Sequence, residues 1–297
     1  MNEVIKVKNF SKKFGDQEVV SDISFDVKKG ETFALLGANG SGKTTTIRCL
    51  LDILKPSGGE LLINNNKYTP LMSNIIGYLP EERGLYTARK VLETMIYIGE
   101  LKGLQYNKAM KWSEEYLEKV GLGGKANEKI KKLSSGQQQK IQLGITIINN
   151  PELLILDEPT KGLDPVNREL LINILDDLKK QGSTIVFITH QMDEVEKIAD
   201  RLLMIKDGKK VLYGDVNDVK AGFGDNRIHL IYSGTLPKNK ELYEVTVGAK
   251  AAKIIPKDGI SPDEILKYLV TKEIRIKKFE ISAPSLQEIF VTVSNAK

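Results

Sequence analysis

Phe33-Ala34-Leu35-Leu36-Gly37-Ala38-Asn39-Gly40-Ser41-Gly42-Lys43-Thr44-Thr45 is an apolar run, a glycine-rich loop and a Lys-Thr-Thr step, and it reads as strand, loop, helix. Gly37, Gly42, Lys43 and Thr44 fit G-x-x-x-x-G-K-[ST], the spacing of a phosphate-binding loop. Glycine reaches backbone angles closed to other residues and leaves no side chain between amide and ligand. The N–H groups of Gly37, Asn39, Gly40, Ser41, Gly42, Lys43, Thr44 and Thr45 can therefore wrap a triphosphate. Ile47, Leu50, Leu51 and Leu54 give the following helix an apolar stripe that seats it on a core, with its positive dipole end toward the phosphates. Lys43 adds a full charge for the β and γ phosphates, and the Thr44 hydroxyl suits Mg²⁺. A glycine turn that merely happens to precede Lys-Thr would not also bring the strand and the helix.

The whole-chain totals narrow the field. Lys+Arg 44 against Asp+Glu 39 leaves +5 spread over 297 residues, which is no nucleic-acid footprint, and the length suits one large domain with a smaller one attached. Cys49 is the only cysteine, so an internal disulfide is excluded and a reducing cytosol fits. Met1-Asn2-Glu3-Val4-Ile5-Lys6 carries charge where a secretory leader needs an apolar core, and no run approaches the ~18 apolar residues of a membrane span. A soluble chain is expected.

Other strand ends carry the remaining chemistry. Leu153-Leu154-Ile155-Leu156-Asp157-Glu158-Pro159 reads as a strand buried on both faces that delivers two carboxylates to the edge where open α/β sheets place ligands. Asp157 suits Mg²⁺ coordination, and Glu158 is placed to orient or deprotonate an attacking water. Ser183 to Thr189 is a further buried-type strand with His190 at its end, in reach of a γ-phosphate. Leu133-Ser134-Ser135-Gly136-Gln137 opens a helix, with Ser134 and Gln137 as a capping box. There a hydroxyl, a glycine amide and a helix dipole converge as a second phosphate-binding end.

Other positions stay open. Strands are expected at 3–10 and 23–27, with Lys13-Phe14-Gly15 between them, and Phe14 is either an adenine-stacking ring or a core residue. Ile75 to Leu79 ends at Pro80-Glu81-Glu82-Arg83-Gly84, where Glu81 is either a metal-binding carboxylate or, as residues alone favour, part of a solvated turn. From 85 to about 130 the pattern is helical, with Asn107 expected as a cap and Trp112 as packing.

The ordered set of phosphate loop, LSSGQ, LLILDEP, GLD and TH resembles the ATP-binding subunit of an ABC transporter, with the motifs in 37–190 and the layout covering 1–223. The resemblance implies an α/β fold of the P-loop NTPase kind. Its central sheet is mixed and flanked by helices, with an antiparallel N-terminal β part and a helical subdomain at about 85–136 that touches the membrane partner. It also implies an ATPase that uses ATP and Mg²⁺. In that family Ser134, Ser135, Gly136 and Gln137 complete the ATP site of the other subunit, Asp164 lies in the loop crossing the dimer interface, and His190 senses the γ-phosphate. Phe14 becomes the adenine-stacking ring, and Glu81 joins Thr44 and Asp157 at the metal. Two departures stand out: Ser135 where glycine is usual, and Glu81 where glutamine is usual.

Residues 224–297 shift in composition and show short alternating strands at 227–232, 242–247 and 274–281, with capped helices from Ser261-Pro262-Asp263-Glu264 and over Leu286 to Val293. This second domain, a small α+β module, resembles the C-terminal extension of drug- and sodium-exporter-type subunits. The expected whole is an ATPase that powers export through an integral membrane permease. It would pair with itself or a paralogue, on the cytoplasmic face of the membrane and without nucleic acid. The rival is a soluble ABC ATPase of iron-sulfur assembly or of nucleic-acid and ribosome work.

Overall fold

Alternating apolar residues give the first two strands one buried face each, and both run further than their apolar cores: β1 spans Glu3–Phe14 and β2 spans Gln17–Lys28. The expected ends at 10 and 23 are too short because the polar stretch after Phe10 stays paired to β2 through irregular register, down to Phe14 opposite Gln17. The computed structural model describes residues 3–82, 84–224, 227–248, 251–272 and 274–295.

The phosphate-loop strand is β3 (Thr32–Leu36), followed by α1 (Lys43–Leu50), β4 (Gly58–Ile63) and β5 (Ile76–Leu79). Three helices come next, α2 (Val91–Leu101), α3 (Tyr106–Lys119) and α4 (Ser135–Ile147). Gln105, extended and without a side-chain cap bond, precedes α3, so Asn107 lies inside the helix rather than capping it. β6 (Leu153–Asp157), α5 (Pro165–Lys180), β7 (Thr184–Thr189), α6 (Met192–Ile198), β8 (Arg201–Lys206) and β9 (Lys209–Asp215) follow.

β2-β1-β4 form an antiparallel sheet, and β5-β6-β7-β3-β8-β9 form the central one. From β5 to β8 the central pairs are parallel, and the tight Asp207-Gly208 turn folds β9 back onto β8, so the sheet is mixed. β3, β6 and β7 are buried along their whole length, as strands covered on both faces must be. Arg201 on β8 ties the two sheets together through Asp26 of β2 at 3.0 Å and Glu31 at 3.1 Å, while Phe25 stacks on Phe33 at 5.6 Å.

The chain divides into two units, Met1–Gly214 and Asp215–Lys297, so α7 (Val216–Ala221) goes with the second although the composition shifts only after it. That unit holds β10 (Arg227–Ser233), β11 (Tyr243–Val247), β12 (Ala251–Pro256), α8 (Pro262–Thr271), β13 (Arg275–Ser282) and α9 (Leu286–Asn295). Its antiparallel sheet runs β11-β12-β10-β13, and Ile228, Leu230 and Ile254 form a core with Ile265 and Leu269 of α8. β12 escapes the sequence reading because two alanines and a terminal proline weaken its strand signal; pairing on both sides makes it a strand. The Ser261 capping box forms as expected.

Phe187 sits at the centre of β7 with none of its surface exposed, so Phe187→Ala is expected to cost the first unit about 3–5 kcal/mol. Trp112, the only tryptophan, belongs to that unit and stacks on Tyr116 at 5.1 Å. Denaturant unfolding followed by tryptophan fluorescence therefore reads this loss separately from the second unit, and an unmoved midpoint would contradict it.

Candidate functional site

Parallel register decides where the chemistry meets. Leu36 lies opposite Thr189, Asp157 opposite Ile188 and Leu79 opposite Leu156, so the chain leaves the sheet along one edge at Gly37, Glu158, His190 and Pro80. Polar groups have no place inside strands buried on both faces, and the strand ends are where they emerge.

At that edge the phosphate loop is shaped by close approach. A Cβ on Gly37 would lie 2.3 Å from the Ile205 carbonyl oxygen and 2.5 Å from Ser41 Oγ, and Gly42 caps α1 from a left-handed conformation at φ +107°. Lys43 is buried, and its Nζ donates to the carbonyls of Gly37 at 2.9 Å and Ala38 at 3.0 Å. Burial lowers its pKa, and the charges of Glu158, Asp157 and Glu81 pull the other way. Thr44 Oγ1 donates to Asp157 Oδ2 at 2.8 Å, joining two residues that are 113 apart in sequence. Burial pushes the Asp157 carboxyl up to about 6, against the Thr44 hydrogen bond.

The donor set fits a hydrated triphosphate with a hard cation. A hydroxyl and a buried carboxylate already face each other at Thr44 and Asp157, which is oxygen chemistry suited to Mg²⁺. Ser41 Oγ and Glu158 Oε2 are buried without a hydrogen-bond partner among the described residues, and such groups cost about 1–3 kcal/mol each until something polar meets them.

Glu158 sits at φ +49°, uncommon for a residue with a side chain, with its N–H donating to the Ile188 carbonyl at 2.9 Å. Its Oε1 is 2.7 Å from His190 Nδ1, so the two strand-end residues form one pair. Glu81 is also drawn to this edge and adds to the charge felt by Asp157, but its Oε1 accepts from Lys161 Nζ at 2.7 Å in an exposed ion pair. Lys161 was not singled out in the sequence; a lysine three residues past an acid pair carries no signal by itself. Nor was Gln142, whose amide reaches the carbonyls of Pro80 and Glu82 at 3.3 Å and ties α4 to the Glu81 loop. Gln139, Gln142 and Thr146 recur at helical spacing and are all buried, and that polar stripe is the signal that could have found it.

A second set of residues gathers at the start of α4. Ser134 caps α4 with the full capping box, in which Gln137 Oε1 accepts from the Ser134 N–H at 2.9 Å. Ser134 and Ser135 are exposed, and a Cβ on Gly136 would stand 3.3 Å from the Gly162 carbonyl, so this helix start rests on the loop leading to Asp164. Asp164 caps α5 by accepting from the Asn167 N–H at 2.9 Å. Phe14 is 46 % exposed under the Lys12 ammonium, which removes the core alternative for its ring.

The comparisons with known proteins agree with this layout. Residues 20–161 match the ABC transporter family model, and residues 214–294 match the C-terminal domain of DrrA1-3-like ATP-binding proteins. An uncharacterized ABC transporter ATP-binding protein of Methanocaldococcus jannaschii is 42% identical over 83% of this chain and 90% of its own. The linearmycin resistance ATP-binding protein of Bacillus subtilis is 30% identical over 98% of both chains. Among solved structures, the dimeric post-hydrolysis state of an ATP-binding cassette bound to ADP and Pi superposes with TM-score 0.66 at 27% identity, covering 71% of this chain and 98% of that one.

Lys43→Ala is expected to abolish tight ATP binding, because it removes the full positive charge of the loop facing a multiply charged triphosphate. Near-normal affinity by calorimetry would contradict this. Glu81→Gln breaks the Lys161 pair, which is worth at most about 1 kcal/mol in its exposed setting. It should weaken the Mg²⁺ dependence of ATP hydrolysis modestly and leave turnover at saturating metal within a few-fold. Identical Mg²⁺ curves would leave Glu81 only its lysine, and complete loss of turnover would place it in the chemistry.

Proposed function

The chain belongs to the ATP-binding subunits of ABC transporters, and from that premise we propose that two copies, or this chain and a paralogue, close head to tail over two ATP molecules and drive export through a separate membrane permease. The carrying observation is the company each residue set keeps. Thr44 bonds to Asp157 and Glu158 pairs with His190 at the strand edge, while the exposed start of α4 packs on Gly162 of the loop leading to Asp164. A capped helix start with exposed serines suits a phosphate, and a second subunit would supply one there.

In each closed site the phosphate loop and Lys43 hold the triphosphate, and Phe14 offers its exposed ring to the adenine. Thr44 and Asp157 would hold Mg²⁺, which offsets charge on the β and γ phosphates. Glu158 Oε1 is held by His190, and Oε2 is the oxygen without a partner, so this carboxylate can take the proton of an attacking water while His190 keeps it oriented. Ser134 and Gly136 of the other subunit close over the γ-phosphate.

Export is supported by a full-length relative named for linearmycin resistance, since removal of a drug is one route to resistance. Among the described residues no helix is long and apolar enough to cross a membrane, so the translocation path falls to a partner on whose cytoplasmic face this subunit would sit. Pulldown from detergent-solubilised membranes should bring down a polytopic protein; its absence would favour a soluble ABC ATPase.

Glu158→Gln is expected to keep ATP binding and lose turnover, which traps an ATP-loaded dimer. Gel filtration with ATP should show a dimer peak that the wild type lacks. A variant that stays monomeric and hydrolyses ATP normally would remove Glu158 from its role.

A further inference from the structure

Glu158 is held in a left-handed conformation that a residue with a side chain keeps only when its surroundings over-determine it. Backbone bonds supply part of that restraint: Lys161 N–H donates to the Glu158 carbonyl at 3.1 Å and Leu163 N–H to the Thr160 carbonyl at 3.1 Å. The side-chain restraint comes from α6. Thr160 has no exposed surface, and its Oγ1 donates to Glu194 Oε2 at 2.9 Å while accepting from Gln191 Nε2 at 3.3 Å. Glu194 is itself 1% exposed. Its other oxygen, Oε1, stands 3.2 Å from Arg168 Nε, an ion pair without hydrogen-bond alignment, and Arg168 N–H donates to the carbonyl of Asp164.

One buried carboxylate thus meets the Glu158 loop through Thr160 and the start of α5 behind Asp164 through Arg168, and the same Thr160 hydroxyl meets the His190 loop through Gln191. His190 and Glu158 already join the two loops at 2.7 Å and Gln191 reaches Thr160 at 3.3 Å, and the Glu194–Thr160 bond, 34 residues apart in sequence, is the shortest side-chain link to Thr160 among these. It orients the Thr160 hydroxyl by making it a donor to a buried carboxylate.

We infer that Glu194, acting through Thr160, is a positioning residue for ATP hydrolysis that holds the Glu158 loop against the His190 loop while the water attacks. This rests on the reading of Glu158 as the water-activating carboxylate. Neither Glu194 nor Thr160 lies in the phosphate loop, so ATP affinity should not depend on them, while the rate of the chemical step should.

Thr160→Val keeps the shape and removes the hydroxyl. With the full chain and steady-state ATP hydrolysis well below the Tm of each variant, it is expected to lower kcat by about tenfold while KM for ATP stays within about twofold, and Thr160→Ser is expected to restore kcat. Glu194→Gln, which keeps an acceptor but loses the charge facing Arg168, should show the same split. A Thr160→Val kcat within about twofold of wild type would overturn the inference, as would a loss that serine fails to restore or a KM that rises in step with the fall in kcat. If the valine variant does not fold, Glu194→Gln decides: the same split supports the inference, and wild-type kinetics overturn it. Glu158→Gln in the same assay keeps the two questions apart, because turnover surviving there would fail the reading of Glu158 itself whatever the threonine variants do.

Discussion

The parallel pairing of β3, β7 and β6 is the constraint on which everything else depends. All three strands are buried throughout, and apolar burial at roughly 25 cal/mol per Å² is what holds them in register. Shifting one strand by a residue would turn its side chains to the other face and break that packing. The register that satisfies the core also aligns the strand ends, so Gly37, Glu158 and His190 arrive together without any contact among them having to drive the fold.

At that edge stability is given up for chemistry. Lys43 is buried against backbone carbonyls, Asp157 is held at about 6 by burial, Glu158 adopts φ +49°, and two buried oxygens have no hydrogen-bond partner among the described residues. The left-handed Glu158 backbone and each unpartnered oxygen cost on the order of 1–3 kcal/mol in isolation. They cluster where the proposed nucleotide and cation would supply what the protein withholds, and such clustering of strain and perturbed charge is what a working site leads one to expect. An ABC ATPase must also release its products. Groups that are only partly satisfied by the protein give the nucleotide something to gain on arrival without locking it in.

The Glu81 position shows how an extra charge at the site edge is absorbed. Its carboxylate adds to the charge felt by Asp157, and Lys161 answers it from another loop at 2.7 Å. The pair is exposed and therefore weak, so it balances charge without fixing the loop. Gln142 ties the loop to α4 through backbone carbonyls, which are indifferent to what residue 81 is.

Much of this was legible in the residues, because it is local. The phosphate loop, the Asp157-Glu158 strand end, and the capping boxes of Ser134 and Ser261 each lie within a few residues of chain, where glycine conformation, apolar runs and cap spacing act directly. Only the tertiary structure decided the rest. β12 became a strand because two neighbours pair with it; Phe14 was placed in solvent rather than core by the continuation of β1; Lys161 met Glu81 across 80 residues and Glu194 met Thr160 across 34. A sequence pattern records what a residue prefers for its own backbone and face. Which distant side chain stands opposite it is fixed only when the sheet register and helix packing have been chosen by the core as a whole.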